Sequence, residues 1–223
     1  MKPIFVAAML TALALVLSAS AGYCYSGTLT WDASQTQLTA FGSSWPSTSN
    51  TLHWEANQVD GLWQYEYTFT VGSKNISHLI LETSDGIVLG TDIYDYVLSG
   101  CETPVGPQDW DGQGSSNPNM PTGGMYGIKF NTLAVGTTSW TIQFTSTRRP
   151  VWGDFYARDG GDESVYNSGF TGGSSNPTDY VTGDGTASDN RLAVPDTVVP
   201  EVPGLYALLL GLPLMFRRVR PRR

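Results

Sequence analysis

The stretch Leu62-Trp63-Gln64-Tyr65-Glu66-Tyr67-Thr68-Phe69-Thr70-Val71 alternates large apolar residues with polar ones. Because the side chains of a β-strand point to opposite faces in turn, this pattern predicts a strand with one buried and one solvated face. The apolar set is aromatic and β-branched, which favours strands. The same alternation recurs at Trp140, Ile142 and Phe144.

No part of the chain shows a sustained helical period, and further short strand patterns are separated by turn signals such as Asp60-Gly61 and Asp85-Gly86. These strands are predicted at Thr51 to Glu55, Ile76 to Thr83, Ile93 to Leu98, Tyr126 to Phe130 and Val151 to Ala157. Many short strands with one apolar face predict an all-β, single domain over residues 22–172, either a β-sandwich or a jelly roll.

Residues 173–198 are dominated by Gly, Ser, Asn, Asp and Thr. Such a composition is typical of flexible linkers. We therefore expect this segment to be a stalk between the domain and the C-terminal tail.

The N-terminus has the three parts of a secretory signal peptide. Lys2 supplies the positive charge, an apolar run extends from Ile4 to Leu17, and Ala19-Ser20-Ala21 has the small residues that signal peptidase accepts. Cleavage is predicted after Ala21. The alternatives, a buried helix or a short membrane anchor, are disfavoured because the run is short for a bilayer span and the small residues lie where cleavage needs them.

The C-terminus combines a proline-containing motif, an apolar run and a basic end. The motif is Val199-Pro200-Glu201-Val202-Pro203-Gly204, the apolar run covers residues 205–216, and the basic end, 217–223, begins with Arg217 and Arg218. An apolar run followed by arginines stops transfer through a membrane, with the arginines on the cytoplasmic side. The alternative interpretation is a simple C-terminal membrane anchor.

This order of motif, apolar segment and arginine cluster resembles the PEP-CTERM sorting tail, here with Val202 between Glu201 and Pro203. The resemblance implies recognition by an exosortase, removal of the tail, and delivery to the cell surface or the extracellular space of a Gram-negative bacterium that makes exopolysaccharide. Parts of the exported region, including Val151 to Gly160, also resemble blocks of short PEP-CTERM proteins. That second resemblance implies no catalytic residue.

The exported part is strongly acidic. Residues 22–198 contain six basic and 19 acidic residues, a net charge of −13. Nucleic acid requires a basic partner surface, so this charge argues against nucleic-acid binding. Cation binding or solubility is more consistent with the charge.

The two cysteines, Cys24 and Cys101, both lie in the exported part. Exported proteins form disulfides, so we predict that Cys24 and Cys101 pair. Neither the cysteines nor His53 and His78 have the spacing of a zinc site.

No sequence motif for nucleophilic, phosphate-transfer or metalloprotease chemistry is present. His53 and His78 lie in strand patterns, where packing is the more frequent role. A pair of carboxylates can hydrolyse glycosides, so a secreted glycoside hydrolase stays as an alternative.

Two acidic turns are candidate ligand sites. Asp109 and Asp111 precede glycines around Trp110, as at the start of a calcium loop, so these two residues are candidate calcium ligands, with a solvated turn as the alternative interpretation. Asp159-Gly160-Gly161-Asp162-Glu163 is the second acidic turn. Trp110 and Trp152 are candidates for stacking on sugar rings, with core packing as the alternative.

The sequence therefore predicts a non-enzymatic exported protein of the surface or extracellular matrix, sorted by its tail and associated with exopolysaccharide. The alternatives are a carbohydrate-binding module, with or without calcium, and a secreted glycoside hydrolase.

Overall fold

The alternating strand at 62–71 is the centre of a five-stranded antiparallel sheet. The computed structural model describes residues 22–112, 116–171, 180–181 and 190–195. In spatial order, and numbered along the chain, the strands of this first sheet are β1 (Cys24–Thr30), β3 (Thr51–Val59), β4 (Leu62–Thr70), β9 (Ser139–Ser146) and β6 (Ile93–Ser99).

A second, six-stranded antiparallel sheet and a two-stranded ladder complete the described structure. The second sheet has the order β2 (Leu38–Phe41), β12 (Ser164–Asn167), β11 (Phe155–Arg158), β5 (His78–Glu82), β8 (Met125–Asn131) and β7 (Val105–Trp110). The ladder pairs β10 (Pro150–Gly153) with β13 (Leu192–Pro195), and a 3₁₀ turn covers Trp45–Ser47. The described residues contain no α-helix, so the all-β prediction is confirmed.

The two sheets share one hydrophobic core. Trp63, Tyr65, Tyr67 and Phe69 are buried as the alternation predicts, and the ring of Phe69 meets that of Phe155 from the second sheet at 5.9 Å between centroids. Burial of each large apolar side chain contributes about 1.5–3 kcal/mol, so this aromatic layer stabilises the fold substantially. The arrangement is consistent with a β-sandwich.

The outer face of the second sheet carries a smaller apolar cluster of Ile80, Met120, Met125 and Tyr156. Residues 116–124 contribute Met120 to this cluster and lie over this face. The Tyr156 hydroxyl donates to the Pro118 carbonyl at 2.6 Å, and the Asn119 amide donates to the Ser164 hydroxyl at 3.0 Å.

The predicted flexible stalk is wrong for the part of it that the structure describes. Leu192, Ala193 and Val194 are almost completely buried in β13, and the Tyr67 hydroxyl donates to the Ala193 carbonyl at 2.7 Å. The sequence does not predict β13 because this four-residue apolar strand lies in polar, glycine-rich surroundings. Its burial extends the folded domain beyond residue 172, at least as far as Pro195.

The predicted disulfide is also wrong, since Cys24 and Cys101 are free in the structure. Cys24 lies on edge strand β1, and Cys101 follows the opposite edge strand, β6. Four strand spacings of about 4.8 Å separate the two edges, whereas the Cα atoms of a disulfide lie about 4.4–6.8 Å apart.

The predicted signal peptide, 1–21, and the predicted sorting tail, 199–223, lie outside the described residues. Within the described ranges, no helix has the length and apolar character needed to cross a bilayer.

Candidate functional site

The outer face of the first sheet is mostly polar, with Val97 of β6 as an exposed apolar residue. Cross-strand register brings Asn57, Gln64 and Thr145 into one row, and Glu55, Glu66 and Gln143 into the next. Hydroxyl, amide and carboxylate groups therefore cover a continuous surface, because every second residue of each strand points outward.

A groove of about 230 Å³ crosses this face. Its lining comes from β3, β4, β9 and β6, and comprises Asn57, Gln64, Tyr65, Glu66, Asp95, Val97, Gln143, Phe144 and Thr145. The volume is below the roughly 300–1,000 Å³ of pockets that enclose a small molecule. The groove is therefore suited to part of a longer ligand.

An irregularity in β6 lies at one side of the groove. The pairing of β6 with β9 shifts register between Tyr94 and Val97, and Asp95 has a left-handed backbone, with φ of 53°. A bulge bends its strand and re-aims the side chains. It accounts for the presence of Asp95 and the exposed Val97, 63% accessible, in the same wall.

Hydrogen bonds orient several polar groups of the face. The Gln143 amide donates to the Glu66 carboxylate at 2.7 Å. On the same face, the His53 ring lies between the Thr28 hydroxyl, 3.0 Å from Nδ1, and the Glu55 carboxylate, 3.2 Å from Nε2.

The groove combines amides and carboxylates with one exposed apolar side chain, Val97. Amide and carboxylate groups form hydrogen bonds with hydroxyl-rich ligands, while an apolar side chain packs against C–H groups. The Thr28–His53–Glu55 chain has the order of a nucleophile, a base and an orienting acid. However, the His53 and Glu55 side chains are 41% and 40% exposed, so the chain lacks the water-excluded surroundings in which such groups act.

The predicted calcium residues, Asp109 and Asp111, are both exposed near the end of edge strand β7. The Asp111 carbonyl accepts a hydrogen bond from the Asn117 amide at 3.0 Å. In the ranges that the structure covers, no group of three or more His, Cys, Asp or Glu side chains is placed to hold a metal ion. Calcium binding at Asp109 and Asp111 stays a prediction.

The two tryptophans considered for sugar stacking have other contacts. Trp152 is buried and meets Trp54 edge-on at 5.6 Å between centroids. The Trp110 indole donates to the Gly127 carbonyl at 2.9 Å, and the Lys129 ammonium lies 5.1 Å from its ring centroid. Trp152 is therefore a core residue. At Trp110, Lys129 lies over the ring, where a stacked sugar would have to lie.

The second acidic turn is a structural element. The Glu163 carboxylate accepts backbone N–H groups of Ser43, Ser44 and Trp45 at 2.8–3.1 Å, at the start of the 3₁₀ turn. Burial opposes ionisation, but these hydrogen bonds outweigh it, and the pKa of Glu163 is lowered. The Asp159 carboxylate accepts the N–H groups of Gly161 and Glu163, which closes its own turn.

Sequence reasoning missed a pair of buried carboxyl groups, Glu82 and Asp154. The two are 4% and 1% exposed. The pKa of Glu82 is raised to about 8, mainly by burial and to a smaller extent by the nearby Asp154 charge. Asp154 also has a raised pKa because of burial, although Asn167, Thr171 and Arg191 oppose that rise. Glu82 looks like a solvated strand end in the sequence, so no local signal marks it.

His78 is packed, as its strand position suggested. Its Nε2 lies 3.0 Å from the Asn117 side-chain oxygen. Burial, with smaller contributions from the Lys129 and Arg158 charges, lowers the pKa of His78 to about 3. The ring is therefore neutral at ordinary pH.

Comparison of the chain with protein-family models, with curated proteins and with solved structures gives no match. The features that bear on function are therefore the groove and the net charge of −13 over residues 22–198.

Proposed function

We propose that this chain is a non-enzymatic exported protein of the bacterial surface or extracellular matrix, and that the groove of its first sheet binds a segment of exopolysaccharide. The finer fold under this proposal is a jelly-roll-like sandwich between a signal peptide and a sorting tail. The groove is the observation that carries the proposal, because its amides and carboxylates form hydrogen bonds with sugar hydroxyls.

The shape and charge of the groove support a polymer as its ligand. It lies on an open sheet face, and its volume accommodates part of a chain at a time. Glu66 and Asp95 are the charged residues of its lining. Like-charge repulsion disfavours polyanionic sugars, so neutral polysaccharide is the expected ligand class.

The test is affinity electrophoresis of the purified chain in gels that contain a neutral or a uronic-acid polysaccharide. Gln64→Ala and Gln143→Ala should weaken retardation in the neutral gel at least several-fold. Gln108→Ala removes an exposed glutamine of β7, on the other sheet, and is the matched control.

Three outcomes contradict the proposal. Absence of retardation by every polysaccharide tested would remove polysaccharide binding, and equal losses in the three glutamine variants would remove the groove as its site. Release of new reducing ends from the polymer would instead support the glycoside hydrolase alternative.

The same proposal assigns residues 199–223 as a sorting tail cut by an exosortase after transient anchoring in the inner membrane. The position of β13 supports it, since this strand ends at Pro195, shortly before Val199. Replacement of Arg217, Arg218, Arg220, Arg222 and Arg223 with Ser should reduce membrane retention before processing. An intact tail on mature extracellular protein, measured by mass spectrometry in the native host, would refute processing.

A further inference from the structure

Of the four edge strands of the two larger sheets, β1 is the one for which the described residues provide no protection against pairing with another chain. Exposed edges normally carry a bulge, a proline, a charge or a very short strand, because unpaired N–H and C=O groups are a template for association. β6 has the bulge at Asp95, β7 has Pro107 and a register shift, and β2 has four residues. β1 is a regular seven-residue strand, Cys24–Thr30, with neither charge nor proline.

Alternation identifies which peptide groups of β1 point away from the sheet. The Tyr23 carbonyl accepts a hydrogen bond from the Gln58 N–H, and the Trp31 N–H donates to the Asn50 carbonyl. The peptide groups of the odd-numbered residues therefore face β3. Even-numbered residues therefore direct N–H and C=O outward. The outward N–H of Thr30 is already bonded to the Gln37 side chain at 2.9 Å.

The open part of the edge therefore runs from Cys24 to Thr28, with Ser26 at its centre. Antiparallel pairing of two copies around Ser26 places Cys24 opposite Thr28 of the partner and Ser26 opposite Ser26 of the partner. In each of these pairs the two residues exchange both N–H···O bonds, as in a narrow antiparallel pair. The pairing is symmetric, as a two-fold dimer interface must be.

We propose that a second copy of this chain is the partner of β1, and that the two copies join their five-stranded sheets by antiparallel pairing centred on Ser26. The uncharged strand permits self-contact although the exported part carries a net charge of −13. Tyr23, 59% exposed beside this edge, gains a neighbour in the partner strand. The grooves of the two copies then lie on one continuous sheet, which is consistent with a matrix component that engages a polymer at two places.

Cross-linking through the exposed Cys24 can test the register of the proposed pairing, because the other cysteine, Cys101, is buried. In the proposed pairing, the two Cys24 residues are four residues apart along the strands, about 14 Å at 3.4 Å per residue. A disulfide requires Cα atoms within about 7 Å. A bis-maleimide of matching reach should therefore cross-link two chains, whereas oxidation should not.

The experiment uses the full chain in a mild non-ionic detergent, with cross-linked dimer measured on denaturing gels. Ser26→Lys places two ammonium groups at the two-fold axis and should lower the dimer yield at least tenfold. Ser99→Lys adds the same charge to the protected edge strand β6 and should not change the yield. Screening of the acidic surfaces by salt should raise the wild-type yield.

Equal melting temperatures of the two variants exclude unfolding as the cause of any loss, and Thr28→Lys gives a second test if Ser26→Lys does not fold. The proposal is overturned if wild-type protein with a reactive Cys24 forms no cross-link at high concentration, or if Ser99→Lys loses as much dimer as Ser26→Lys. Efficient formation of a direct Cys24 disulfide between copies would overturn the register.

Discussion

Glu82 and Asp154 are joined by two reciprocal hydrogen bonds in the interior. The Asp154 N–H donates to the Glu82 carboxylate at 2.8 Å, and the Glu82 N–H donates to the Asp154 carbonyl at 3.0 Å. The Asp154 carboxylate in turn accepts from the Asn167 amide and from the Thr171 N–H. Two carboxyl groups at one buried site disfavour simultaneous ionisation, which makes the stability of the fold depend on pH.

Stability should fall as the pH rises from about 6.5 to 8. The pKa of Glu82 is raised from 4.5 to about 8, so across this range the folded chain holds a proton that the unfolded chain has released. The free energy of unfolding then decreases with pH, by up to about 1.4 kcal/mol per unit. Glu82→Gln should flatten this slope in urea melts, and the exposed Glu102→Gln should retain it. Identical slopes in both variants would contradict the assignment.

His78 should produce the opposite slope in acid. Its pKa is lowered from 6.5 to about 3, so between these values the unfolded chain binds the extra proton. Stability therefore rises with pH over that window and opposes the Glu82 slope where the two overlap, above about 4.5. His78→Gln, which retains a donor toward Asn117, should reduce the acid slope. The half-exposed His53→Gln is the control, and an equal change in both would refute the role of His78.

Leu192→Ala should destabilise the domain by about 2–5 kcal/mol, because it opens a cavity at a fully buried position. Leu133→Ala is the matched control, since Leu133 is 67% exposed and its truncation should cost less than about 0.5 kcal/mol. The measurement is chemical denaturation. Equal costs at the two positions would show that β13 does not belong to the core.

Glu163→Gln should destabilise the domain by about 1–3 kcal/mol, since the carboxylate receives three consecutive backbone N–H groups at the 3₁₀ turn. The control is Asp162→Asn at the neighbouring exposed position, which removes the same charge but none of those hydrogen bonds. A thermal melt compares them at pH 7. The lowered pKa of Glu163 predicts that the difference shrinks when the pH falls below the ordinary glutamate range.

Both cysteines should titrate as free thiols in unfolded, unreduced protein, and only Cys24 should react with a maleimide in the native state. Cys101 is buried, and burial raises its pKa to about 12, so its reactive thiolate is scarce. The measurement is mass spectrometry after labelling. If the unfolded, unreduced protein carries no label, the two cysteines are paired and this prediction is wrong.

The sequence by itself determined the all-β class and the strand at Leu62 to Val71, because alternation is a local property that needs no knowledge of distant residues. It also favoured packing for both histidines, which is right for the buried His78 and wrong for His53, whose side chain is 41% exposed. It could not identify β1 or β13, whose short apolar sets lie in polar, glycine-containing surroundings, and it placed a disulfide where the sheet order separates the two cysteines.

Only the tertiary structure decided what the polar faces do. Gln64 and Gln143 are far apart in the chain, and pairing of β4 with β9 brings them to one groove. The same holds for Glu82 and Asp154, and for Glu163 and the 3₁₀ turn at Trp45. Local patterns indicate which residues leave the water, whereas strand order and register determine which polar groups meet, because antiparallel pairing joins segments of any separation in the sequence.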